Sequence, residues 1–280
     1  MKAIIIPLIA TLASFGLAMV LTRLITWKRR KEGRLTKKRR IVTFIIMFVT
    51  THMIGFAVYF GIYSRATDRA LTFMKNTGSV IVEEESDAYF FNGPGSRDAL
   101  IFYPGGKVDE KAYAELMTKL AEAGIDCFLV KMPLHLAIFG KDKATSVMEN
   151  HDYPCWYIGG HSLGGAMAAA YLTRNSDKLK GALLLAAYCN DQFPDGMPIY
   201  SIVAENDKVL NWEDYNEAKK KWPLTVKEIM IKGGNHSQFG DYGVQGGDGA
   251  ATISCEEQMK QVEEAAVELI KPEPDYGITD

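Results

Sequence analysis

Residues 155–168 read CWYIGGHSLGGAMA. The run from Cys155 to Gly159 is short, apolar and rich in aromatic and β-branched side chains, which predicts a buried strand. From Gly164 to Thr173 the chain carries small and apolar residues over a length that suits a helix. Between them stands a GxSxG match, Gly160, His161, Ser162, Leu163 and Gly164. A sharp strand-to-helix turn holds its central serine in a strained backbone conformation, and neighbours bearing a Cβ would collide with the strand and the helix. Gly160 and Gly164 remove those collisions, while His161 fills the variable position. The geometry lifts the Ser162 hydroxyl above the sheet and aims the Leu163 amide, at the helix N-terminus, into the same space. An ordinary Gly-rich turn has similar letters, but the strand-to-helix context favours a reactive serine.

Working outward, short β-rich runs alternate with helical ones. Ser79–Glu84 and Ala88–Phe91 read as an opening hairpin, followed by a strand at Ala99–Tyr103, a helix at Glu110–Ala123, a strand at Asp126–Met132 and a helical stretch to about Glu149. Beyond the serine come strands at Gly181–Ala187 and Pro198–Ala204, a helix at Trp212–Lys221, a strand at Val226–Ile231 and a last helix from Ser254. Such alternation predicts an α/β domain over residues 79–271, with a mostly parallel sheet covered by helices on both faces. Residues 64–78 then read as a tether and 272–280 as a frayed tail. In such a sheet the loops beyond the carboxyl ends of the strands carry the chemistry.

A serine hydroxyl needs a base, and the base needs a carboxylate to orient it. Asp207 follows the strand ending at Ala204 and is the expected acid, ahead of Glu205 and Asp195. His236 sits in Gly233-Gly234-Asn235-His236, directly after the last strand, and is the expected base. His135 and His151 precede the serine, and His52 lies in an apolar stretch. A second oxyanion donor is expected after Tyr103, where Pro104-Gly105-Gly106-Lys107 brings a bare backbone amide, that of Gly106, near the substrate. This chemistry needs no metal and no cofactor.

The N-terminal quarter is of another kind. Residues 3–22 and 41–63 are largely hydrophobic and free of Asp, Glu, Lys and Arg, each long enough to cross a bilayer that needs about 20 helical residues. They predict a membrane hairpin over residues 1–63, with helices at about 3–27 and 41–63 and a basic loop at 28–40. Lys28 to Arg40 holds nine Lys or Arg against one Glu, so the loop is expected to stay cytoplasmic and the domain to face the extracytoplasmic side. A cleaved signal peptide or a nucleic-acid-binding run are the plainer alternatives for these segments. With +10 on residues 1–63 and a net charge of −2, the remainder carries −12, an acidic surface poorly suited to nucleic acid. Cys127, Cys155, Cys189 and Cys255 show neither metal-ligand spacing nor a paired framework and read mostly as buried small hydrophobes.

Phe102–Val108, Tyr157–Gly165, Ala204–Val209 and Gly233–Tyr242 together resemble the compact dienelactone-hydrolase-like branch of the α/β-hydrolases, over residues 79–271. The resemblance implies the α/β-hydrolase fold and a triad of Ser162, Asp207 and His236 with Leu163 and Gly106 as oxyanion donors. That branch uses a cysteine nucleophile where this chain has Ser162, so a serine esterase of the carboxylesterase class is implied rather than a dienelactone substrate. The family often opens the oxyanion loop with His-Gly, where Pro104 stands here. The short connection between Ala187 and Pro198 leaves no room for a lid and implies an open site for a small or lipid-like acyl ester. A lipase or acyltransferase acting on envelope lipid is the enzymatic alternative, and an anchored binding protein without activity the non-enzymatic one.

Overall fold

A computed structural model of the chain describes residues 2–95 and 97–271, so the expected tail lies outside the described residues. The chain divides into two units, Met1–Ile62 and Tyr63–Asp280.

The first unit is a helical hairpin. Helix α1 (Lys2–Lys31) turns at Gly33, whose φ of +67° a side chain would strain, into α2 (Lys37–Gly61). Thr36 caps α2 by accepting the Arg39 N–H. The helices meet where Thr51 Oγ1 donates to the Ser14 carbonyl at 3.2 Å and Phe15 packs edge-on against Phe44, 5.2 Å between ring centres. None of the α2 side chains is buried, and Ile45, Met53 and Phe56 are more than half exposed. At about 1.5 Å per residue, a helix of 25 residues outspans a hydrocarbon core of about 30 Å. Both helices are long and apolar enough to cross a bilayer.

The second unit begins with a short helix, α3 (Asp68–Thr72), capped by Thr67. Residues 64–78, expected as a tether, instead pack into this unit. Ser64 bridges to Val108, and Arg69 of α3 pairs with Glu115 at 2.8 Å and Asp241 at 3.0 Å. Those partners are remote in sequence, which is why the polar local composition reads as a linker.

Strands β1 (Ile81–Glu84) and β2 (Ala88–Asn92) form the expected hairpin, followed by β3 (Asp98–Tyr103). The helix expected at Glu110–Ala123 opens as a 3-10 turn, Glu110–Tyr113, because Tyr113 leaves helical geometry at φ −102°, and α4 (Ala114–Glu122) follows. Next come β4 (Asp126–Val130), α5 (Lys143–Asn150), β5 (Cys155–His161) and α6 (Leu163–Arg174). The chain ends with β6 (Gly181–Leu185), β7 (Ile199–Ala204), α7 (Trp212–Lys219), β8 (Val226–Ile231) and α8 (Cys255–Ile270).

The eight strands form one sheet in the order β1-β2-β4-β3-β5-β6-β7-β8, antiparallel only at β1 and β2. Side chains alternate between two cores, as period-two geometry requires. Leu100, Phe102 and Leu129 pack with Leu116 of α4 and Val262 of α8. Ile101, Phe128 and Ile158 face the other way, onto Val147 of α5 and Leu172 of α6. Every residue of β3, β4 and β6 is buried, which explains why these strands are apolar apart from the leading Asp98 and Asp126. The register sets Tyr103 beside Gly160, His161 beside Leu185 and Ala204 beside Ile231. The loops after β3, β5, β6, β7 and β8 therefore emerge along one edge.

Candidate active site

Ser162 occupies the turn between β5 and α6 with φ +52° and ψ −121°, a region that residues with a Cβ avoid, and its side chain makes no capping bond to the helix. The strain persists because its surroundings fix it. Its N–H donates to the Leu185 carbonyl at 2.9 Å, and a Cβ at Gly160 would meet the Tyr103 carbonyl oxygen at 2.7 Å. A Cβ at Gly164 would overlap the Tyr103 and Pro104 carbonyl oxygens outright, so only glycine permits this approach of α6 to β3. The hydroxyl is left free above the sheet, at the N-terminus of a 12-residue helix.

Asp207 and His236 meet across the loops after β7 and β8. His236 Nδ1 lies 2.7 Å from Asp207 Oδ2, and both residues are almost wholly buried. The other carboxylate oxygen, Oδ1, accepts the N–H groups of Val209 and Leu210, each at 2.8 Å. Asp207 is thus held by two amides and one imidazole. The β7–β8 pairing continues into these loops, since Glu205 N–H donates to the Ile231 carbonyl and Asn206 N–H to the Gly234 carbonyl. Glu205, the weaker candidate acid, turns its carboxylate to the Gly233 N–H at 2.9 Å, while Asp195 lies exposed in the β6–β7 connection.

Ser162, Leu163 and His236 line one cleft of about 660 Å³, walled also by Met167, Tyr188 and Cys189. None of residues 186–198 is helical, and the first part of this connection, through Asp191, forms one wall of the cleft. Gly106 stands against Leu163, where a Cβ would come 3.0 Å from Leu163 Cδ2. Gly106 and Leu163, the two residues expected to supply oxyanion amides, are therefore neighbours in space.

His161, the variable residue of the elbow, is buried rather than presented to the cleft. Its Nδ1 lies 2.8 Å from Tyr113 Oη, and its ring centre is 4.5 Å from that of His236. Burial foremost, and then the neighbouring His236, hold its pKa well below the usual histidine range. Burial likewise raises the Tyr113 phenol. With a neutral imidazole and a protonated phenol, the arrangement that uses the phenolic proton has Tyr113 donate to His161 Nδ1 while accepting the Gly105 N–H at 3.0 Å. A Cβ on Gly105 would sit 2.8 Å from that phenolic oxygen. Tyr113 thereby fixes the Pro104–Lys107 loop and engages the Gly105 amide rather than that of Gly106, the expected oxyanion donor.

Other supporting residues escape sequence reasoning. Asp248 accepts from the Ser237 N–H at 2.8 Å, the Ser237 hydroxyl at 3.0 Å and the Lys208 N–H at 3.2 Å, joining the loops that carry His236 and Asp207. Gln258 of α8, wholly buried, bonds the backbone of Asn235 in both directions. The Lys107 N–H donates to the His135 carbonyl at 2.7 Å, and Lys107 O accepts from Ser64 N–H at 2.8 Å. No local sequence pattern marks these residues.

The four cysteines are free thiols; Cys127 is buried, but Cys155, Cys189 and Cys255 are only partly so, short of the burial expected. Among the described residues no cluster of His, Cys, Asp or Glu has the form of a metal site.

The model of the alpha/beta hydrolase family matches residues 99–260. No curated protein sequence matches the chain. Among solved structures, Est1E of Butyrivibrio proteoclasticus with ferulic acid bound is similar at 13% identity and a TM-score of 0.50, over 69% of this chain and 97% of that one. Carboxylesterase CesB of Bacillus subtilis is similar at 9% identity and a TM-score of 0.49, over 72% and 94%. Dienelactone hydrolase of Anabaena variabilis is similar at 9% identity and a TM-score of 0.47, over 69% and 97%.

Proposed function

The chain belongs to the α/β-hydrolase family, and from that premise we propose that it is a membrane-anchored serine esterase with Ser162 as nucleophile, His236 as base and Asp207 as orienting acid. One arrangement carries the reading: a strained serine at a helix N-terminus opens onto the same cleft as a histidine bonded to a buried carboxylate.

In this mechanism His236 Nε2 takes the Ser162 proton as Oγ bonds to the substrate carbonyl carbon. The Leu163 and Gly106 amides hold the oxyanion, each donor being worth roughly 3–4 kcal/mol to the transition state. Collapse breaks the ester bond, and the departing alkoxide takes the proton from His236. Water then attacks the acyl-enzyme, giving its proton to His236, which returns it to Ser162 as the carboxylic acid leaves. Asp207 keeps the proton on His236 Nδ1 throughout and offsets the charge of the imidazolium.

The hairpin anchors this enzyme with the basic turn in the cytoplasm and the catalytic unit on the extracytoplasmic side. The charge of Lys28–Arg40 supports that orientation. Protease added to cells stripped of any outer barrier is expected to digest the catalytic unit and spare the basic turn; protection of the catalytic unit would reverse the topology.

The activity is tested with a chain-length series of p-nitrophenyl esters and the full chain in detergent. Ser162→Ala is expected to lower turnover by roughly three to six orders of magnitude. Unchanged hydrolysis by that variant would remove Ser162 from the mechanism, and a preference for the longest acyl chains would assign a lipase.

A further inference from the structure

The basic end of the hairpin encloses a cavity of about 510 Å³. Four cations line it, Arg23 and Arg30 from α1 and Lys37 and Arg40 from α2, with no carboxylate among the lining residues. The one acid of this segment, Glu32, turns to Arg34 at 3.4 Å instead. Four like charges about one space repel each other, and an anion between them relieves the repulsion. The N-terminus of α2 borders the same space with no acidic residue in its first turn, so the positive end of that helix dipole adds to the field.

A second, independent feature points the same way. Thr22 also lines the cavity and is 5% exposed, yet its hydroxyl has no partner, whereas Thr26 Oγ1 donates to the Thr22 carbonyl at 2.6 Å. A buried hydroxyl without a partner is unfavourable, and a phosphate oxygen in the cavity would satisfy it. Apolar surface continues directly from the charged lining, with Leu24 68% and Ile41 49% exposed. Such surface suits acyl chains and offers nothing to free phosphate.

We propose that this cavity holds the headgroup of an anionic phospholipid, its phosphate among Arg23, Arg30, Lys37 and Arg40 and its acyl chains along the hairpin. The inference rests on the membrane part of the function proposed above and is independent of the esterase chemistry. Anionic lipids of the cytoplasmic leaflet supply this chemistry at the depth where the basic turn would lie.

The test is native mass spectrometry of the full chain in detergent carrying equal phosphatidylglycerol and phosphatidylcholine of the same acyl length. Phosphatidylglycerol is expected to be retained at least about tenfold over phosphatidylcholine, with one lipid bound per chain. Arg30→Gln/Arg40→Gln should abolish the preference, and Thr22→Val should weaken it severalfold. Arg29→Gln/Lys38→Gln removes the same charge from outside the lining and should leave the preference intact. Equal loss in both double variants would reduce the effect to general attraction and overturn the site, and displacement of the lipid by millimolar inorganic phosphate would make it a free-anion site. Alkaline carbonate extraction of membranes is the separate control: release of the chain would refute membrane insertion itself, whereas an inserted chain with no lipid preference refutes only the headgroup site. Unchanged helical circular dichroism confirms that the variants fold.

Discussion

His236 Nδ1 and Asp207 Oδ2 lie 2.7 Å apart in a pocket closed to solvent, and the opposite carboxylate oxygen is held by two backbone amides. An asparagine in place of Asp207 would keep the size but offer an N–H where the imidazole N–H now points, favouring the tautomer that cannot accept the serine proton. Asp207→Asn is therefore expected to fold normally and to lose roughly 10⁴-fold in kcat on p-nitrophenyl acetate. A loss below tenfold would transfer the orienting role to another carboxylate.

Tyr113 joins the Gly105–Gly106 loop, which carries the proposed oxyanion donor, to His161, accepting the Gly105 N–H and donating to the imidazole. Tyr113→Phe leaves both partners buried and unpaired, at a cost of about 1–3 kcal/mol in stability by urea titration. The freed Gly105–Gly106 segment should lower kcat severalfold with little change in KM, because the oxyanion forms only in the transition state. A rise in KM at constant kcat would place Tyr113 in substrate binding instead.

Burial first, and then His236, keep His161 neutral in the fold, with Tyr113 as its hydrogen-bond partner. In the unfolded chain the same group titrates near about 6.5. Below that pH the unfolded chain binds the extra proton, so stability is full above it and falls as pH drops, by up to about 1.4 kcal/mol per pH unit from this residue. His161→Gln keeps an acceptor for Tyr113 and removes the titration. The decline in urea midpoint from pH 7 to pH 5 should be smaller in the variant than in the native chain; equal declines would locate the acid sensitivity elsewhere.

Cys189 walls the cleft, and burial pushes its thiol up to about 11, so at neutral pH it offers an uncharged surface to the acyl chain. Cys189→Trp should cut activity on hexanoate and longer esters while sparing acetate, since each excluded methylene changes discrimination by about 1–3 kcal/mol. Uniform loss along the series would mean that the acyl group lies on another wall.

The sheet was legible because its signals are local: Ala99–Tyr103, Cys155–Gly159 and Gly181–Leu185 are short runs without a charged residue, and the Gly160–Gly164 turn carries its steric reason in its own residues. The placement of Asp207 and His236 followed from strand ends, which the register does bring to one edge. What the sequence hid is what acts over distance. Tyr113 reads as one more apolar helix residue, yet its function in the loop depends on Gly105 and on His161, which no periodicity connects to it. The stretch 64–78 is short, polar and uneven in pattern, and only the remote Glu115 and Asp241 reveal why Arg69 stays on the domain.

That stretch carries the last prediction. Ser64 N–H donates to the Lys107 carbonyl and Ser64 O accepts the Asp109 N–H, both at 2.8 Å, while Tyr63 stacks on His135 with ring centres 3.8 Å apart. The His135 carbonyl in turn accepts the Lys107 N–H, and Lys107, Leu134 and His135 all hold φ near +55°, a conformation costly for side-chain-bearing residues unless neighbours enforce it. The segment entering the second unit is thus a strap on the Gly105–Lys107 loop, the proposed oxyanion loop. Ser64→Pro deletes the donor to Lys107, a bond worth about 0.5–1.5 kcal/mol, and lets the loop relax. In the full chain kcat should fall about three- to tenfold while KM for short esters holds, and Ser64→Ala, which keeps the N–H, should match the native enzyme. Equal losses in both variants would show that the side chain, not the strap, matters; no loss in either would show that Gly106 is held without it.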